Sequence, residues 1–92
     1  METKKEYVLI KVEKCDFNET IYVLGVSDDR EAAVQAWNDA VFCEKDNQSK
    51  FGIMYDTVDE SEGEYQAFNE GYEATDSIRI FIAESHKIEK FK

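Results

Sequence analysis

From Tyr55 to Ser77 the chain reads YDTVDESEGEYQAFNEGYEATDS, with eight carboxylates and no lysine or arginine. Clustered carboxylates can ligate a hard cation, trade protons in pairs, or present negative charge to a basic surface. An EF-hand loop fails on register. Started at Asp56, it puts Val58 at the third position and Ser61 at the sixth, where an oxygen ligand and a glycine belong; started at Asp59, it puts Glu64 at the sixth. Glycosidase-type acid-base work needs a sugar cleft between two carboxylates, and nothing in the chain identifies one.

Recognition is the remaining use. A face that serves only solubility intersperses both signs of charge, whereas residues 51–78 hold no base. Carboxylates at i, i+4 on a helix, such as Glu60 and Glu64, have Cβ atoms about 5–6 Å apart. Alternate residues of an extended chain lie about 6.6 Å apart. Both spacings are near that of adjacent phosphates, so an acidic ridge could occupy a groove built for DNA or RNA, with counterion release favouring the complex. The candidate partner-binding residues are Asp56, Asp59, Glu60, Glu62, Glu64, Glu70, Glu73 and Asp76. Tyr65 and Tyr72 join them as aromatic anchors able to stack on arginine, while Phe68 is expected to face inward.

Other chemistries find little. His86, the single histidine, lies near the chain end. Cys15 borders Asp16, and Cys43 borders Glu44 behind a helix end, settings that disfavour a thiolate. Both cysteines are read as free thiols that act as small packing residues. The four glycines are too scattered for a phosphate loop, and no CxxC or HxxxH pair exists to seed zinc. The expectation is a non-enzymatic protein with no cofactor and no metal.

With 92 residues and no break in composition, residues 1–92 form one domain, and 87–92 are expected to be a mobile tail. Acids outnumber bases 21 to 11, which opposes direct contact with nucleic acid or anionic lipid and favours a basic protein surface. No run approaches the roughly 20 apolar residues of a membrane span, so a cytoplasmic location is expected. In size, acidity and lack of catalytic motifs the chain resembles the loose class of phage-encoded antagonists of host defence, including anti-CRISPR proteins that mimic DNA. That resemblance is one of composition and transfers no residue.

The elements that would position these groups follow from periodicity. Residues 7–13 put Val8, Ile10 and Val12 on one side and Tyr7, Leu9, Lys11 and Glu13 on the other, as a strand does. Residues 20–26 make a second, β-rich run that completes a hairpin, with Gly25 marking a bulge near its end. A helix over about 28–42, capped by Ser27 or Asp28, gathers Ala33, Trp37, Ala40 and Val41 on one face, with Trp37 the largest anchor. "CEKDNQSK" reads as a polar connection and "FGIMYDTV" as a third strand, with Phe51, Ile53 and Tyr55 on one side. Ser61 and Glu64 have capping-box spacing, so a short acidic helix or an ordered loop is expected over about 61–70. A last strand carries Ile78, Ile80 and Ile82 on one face. The fold class is α+β, a mostly antiparallel four-stranded sheet with helices on one face, in the order β-β-α-β-(α)-β.

Two functions compete. One is a stoichiometric binder that engages or blocks a basic groove on a nucleic-acid-handling protein. The other is a small adaptor or structural module, homodimeric or not, that binds through a sheet edge or apolar patch and uses its acidity for solubility.

Overall fold

The alternation of residues 7–13 lies inside a longer strand, β1 (Thr3–Cys15), which pairs antiparallel with β2 (Asn18–Ser27). The computed structural model describes residues 3–15, 18–69 and 76–88. After β2 come the helix α1 (Arg30–Phe51) and the strands β3 (Thr57–Ser61), β4 (Glu64–Phe68) and β5 (Ser77–Ile88). The class is α+β with one antiparallel sheet, as expected, but the sheet has five strands, ordered β2-β1-β5-β4-β3.

The extra strand comes from the segment expected to be an acidic helix. Gly63 sits at φ 83°, a left-handed conformation that a helix interior does not accept and a tight turn uses readily. Ser61 and Glu64 therefore face each other across a hairpin instead of capping a helix. Tyr65 and Ala67 then alternate inward, and Phe68 falls on the other side of the sheet.

The helix departs from expectation at both ends. Its N-cap is Asp29, in extended conformation, with Oδ1 accepting from Glu31 N at 3.2 Å; Ser27 instead braces Asp29, its Oγ accepting from Asp29 N at 3.0 Å. It continues through the polar residues 43–50 because Glu44 and Gln48 extend its inward row and find polar partners there. Gly52, at φ 68°, ends it, its N–H reaching back to the last turn. Phe51 is thus the last helical residue, and residues 53–55 form a loop instead of a third strand.

The rows of the sheet decide what the helix covers. Glu60, Tyr65, Ile80, Lys11 and Tyr22 form one row, and Val58, Ala67, Ile78, Glu13 and Thr20 the next on the same face. α1 lies over this face, and Leu9, Trp37, Val41, Tyr65, Ala67, Ile78 and Ile80 form the core between them. Trp37 is 3% exposed and donates from Nε1 to the Ile80 carbonyl at 2.9 Å, tying the helix to the middle of the sheet. The expected helix face of Ala33, Trp37, Ala40 and Val41 is the one that packs, Ala40 at its margin.

The other face carries Val8, Ile10 and Val12, and no described element lies over it. Leu24 is an extra residue between two registers, Leu9 with Gly25 and Ile10 with Val23, so the bulge expected at Gly25 is present. Of the expected tail over 87–92, Lys87 and Ile88 pair with Lys4 and Thr3 at the end of β5, and residues 89–92 lie outside the described residues.

Candidate functional site

The acidic segment is less alone than its sequence implies. Glu60, Glu62 and Glu64 each meet a base from a distant part of the chain. Lys45 on α1 reaches Glu60 at 2.6 Å, and Arg30 at the start of α1 reaches Glu62 at 3.4 Å. Arg79 on β5 grips Glu64 with two bonds, at 2.7 and 3.0 Å. That hydrogen bonding, aided by the charge of Glu64, holds the Arg79 guanidinium above its ordinary pKa against the opposing effect of burial. The cations missing from residues 51–78 are supplied by folding.

The ridge geometry also changes. Glu60 pairs with Tyr65 on the face under the helix, whereas Glu64 and Asp59 lie in rows of the open face. Glu60 and Glu64 do not share a helix face, because they sit on different strands of a hairpin. Asp56, Asp59 and Asp76 are exposed, and Glu62 occupies the turn. Tyr65, taken from the sequence as a surface anchor, is 1% exposed and belongs to the core, its hydroxyl bonded to Gln48 Nε2 at 3.2 Å. Strand alternation, not helical spacing, turned it inward. Glu70, Tyr72 and Glu73 lie outside the described residues.

A different surface emerges on β2. Ile21, Val23 and Val26 are 62, 63 and 59% exposed on the open face. They continue into Val12, Ile10 and Val8 of β1, and these into Phe81 and Ala83 of β5. Tyr22 and Leu24 are exposed as well. β2 is an edge strand, so the backbone groups on its outer side have no strand beside them among the described residues. Arg79 marks the boundary of the apolar area, its guanidinium 3.9 Å from the centre of the Phe81 ring. Sequence reasoning missed this site because apolar alternation tells which residues share a face without telling which face is covered. The available signal was that both faces of β1 and β2 carry large apolar residues, while only one helix was expected nearby.

Beneath the C-terminal half of α1 lies a cleft of about 350 Å³, lined among others by Lys11, Glu44, Asn47, Tyr55, Asn69 and Asp76. Glu44 is buried, accepts from Gln48 Nε2 at 2.8 Å and faces Lys11 at 3.8 Å, and Lys11 also meets Glu13 at 3.1 Å. Burial, then the negative charges of Glu44 and Asp76, push the Tyr55 hydroxyl above its ordinary pKa of 10.0. The folded protein therefore holds this proton more tightly than the unfolded chain does. Its contribution to stability is intact below pH 10 and disappears as pH rises through the folded-state pKa. Tyrosinate absorbance should show Tyr55 ionising after an ordinary tyrosine, and Tyr55→Phe should remove that part of the alkaline loss of stability.

Cys15 and Cys43 are both exposed, which overturns their reading as packing residues. Among the described residues no group of three or more His, Cys, Asp or Glu side chains is placed to hold a metal ion, and no helix is long and apolar enough to cross a membrane. Comparison with protein-family models, curated proteins and solved structures finds no match for this chain.

Proposed function

We propose that the protein is a non-enzymatic interaction module whose working surface is the β2 edge with the apolar face beside it. Its partner supplies an uncharged strand or apolar surface. The observation that carries this reading is the run of Ile21, Val23 and Val26, each about 60% exposed, in register with the Val8, Ile10, Val12 row and with no described element above it. Contiguous apolar patches rimmed by polar groups mark interaction sites, whereas single exposed apolar residues do not. The acidity then serves solubility and keeps unrelated acidic surfaces away.

A second reading, a nucleic-acid mimic that blocks a basic groove, keeps the support of the net charge of -10 and of the exposed Asp59 on the opposite edge strand. The internal pairing of Glu60, Glu62 and Glu64 weighs against it.

One comparison separates the two. Association, with other proteins or between copies, is measured at low and high salt with duplex DNA as competitor, for the wild type and two double variants. Ile21→Lys with Val23→Lys should abolish association, while Asp59→Lys with Asp76→Lys should leave it intact. Loss in the aspartate variant alone, with displacement by DNA, would overturn the apolar-surface reading in favour of mimicry.

A further inference from the structure

We infer that the occupant of this surface is a second copy of the chain, with β2 pairing antiparallel to β2 about a two-fold axis so that two five-stranded sheets become one. The inference rests on the β2 surface being the working one. It names the partner and the geometry.

The edge itself is the first argument. β2 is ten residues long, contains no proline and no lysine, and among the described residues has no strand on its outer side. Natural edge strands are shortened, charged or kinked to prevent pairing with other chains. β2 has only Glu19 near its start and the bulge at Leu24, which leaves Thr20–Val23 uncharged and in regular register.

Self-complementarity is the second. An isologous contact sets each residue near its own copy's neighbours, so a charged surface repels itself while an uncharged apolar one does not. Thr20 to Ser27 is the longest stretch of this chain without a charged residue. With the two-fold axis at Tyr22, Ile21 of each copy would face Val23 of the other on the open face, and Tyr22 its own counterpart on the helix side. Cross-strand pairs of β-branched and aromatic residues are the stabilising unit of a sheet.

The distribution of charge is the third. The sheet order puts the acidic β3 at the edge opposite β2. Strands lie about 4.8 Å apart, so joining two copies through β2 leaves the two β3 strands roughly 43 Å apart, several times the Debye length of about 8 Å at physiological salt. Stacking the two open faces, about 10 Å apart, would instead bring together the faces that carry Glu6 and Asp59. A chain with a net charge of -10 can dimerise with least repulsion through β2.

Light scattering and sedimentation equilibrium across a concentration series, combined with amide exchange, test the inference. The expected mass is twice 10.7 kDa, the association strengthens with added salt, and β2 amides exchange slowly. Ile21→Lys with Val23→Lys should halve the mass and expose those amides while leaving the denaturation midpoint of the monomer in place. A wild type that stays monomeric to its solubility limit overturns the second copy, and capture of another protein that the same lysines abolish would leave the surface reading standing. A dimer indifferent to both lysines overturns both readings. A dimer broken by them whose β2 amides nevertheless exchange fast overturns strand pairing in favour of stacked faces.

Discussion

Trp37→Ala should remove about 3–5 kcal/mol of stability, the range for truncating a buried large aromatic side chain. A domain of this size has only about 5–14 kcal/mol in total, so the variant should lose a large share of its stability. Two effects combine. The indole fills the contact between α1 and the β1, β5 and β4 rows, and its N–H satisfies the Ile80 carbonyl in the sheet's interior. Trp37→Phe keeps most of the packing and loses the donor, for which about 1–2 kcal/mol is expected. Urea denaturation followed by circular dichroism gives both values. A smaller effect for Trp37→Ala than for Phe42→Ala, at a position 72% exposed, would mean that the helix is packed on the wrong face.

The second large effect should come from Ala67→Asp. Ala67 is 0% exposed, and a carboxylate there has no cation within the core. An uncompensated buried charge costs about 3–5 kcal/mol, so this variant too should lose a large share of its stability. Gln66→Asp, one residue away on the open face and opposite Arg79, should stay within about 0.5 kcal/mol of wild type. The pair also reports on local structure. A helix over 61–70 would turn Phe68 inward beside Tyr65, making position 68 the sensitive one. Equal tolerance at 66 and 67 would contradict the hairpin.

What the sequence revealed follows a physical pattern. Trp37 and its helix face were legible because a 3.6-residue period with a single large anchor admits few alternatives. The two long strands of the first hairpin were legible for the analogous reason, and Gly25 pointed correctly to the bulge. The hairpin at Gly63 was hidden by coincidence of spacing. Tyr65 and Phe68 fit one turn of a helix, Ser61 and Glu64 fit its cap, and only the glycine's need for positive φ argued otherwise. The helix end was missed because Glu44 and Gln48 are polar and yet point inward, where Lys11 and Tyr65 satisfy them. For the candidate site the limit was different. Three of the chosen carboxylates are neutralised by Arg30, Lys45 and Arg79, and that pairing depends on tertiary contacts that no local pattern encodes.

The position of β5 has a consequence in time. It is the last of the six elements in chain order, yet it lies third in the sheet, between β1 and β4. Until it arrives, the chain consists of two separate hairpins and a helix without a floor, since Trp37 bonds to the β5 residue Ile80 and the core needs Ile78 and Ile80. A ribosome releasing this chain can therefore complete β1, β2 and α1 early without completing the fold, and the decisive contacts close only once β5 has emerged. Throughout that interval the edge of β1 opposite β2 lies open, so the emerging chain offers a chaperone a vacant strand slot that β5 later fills.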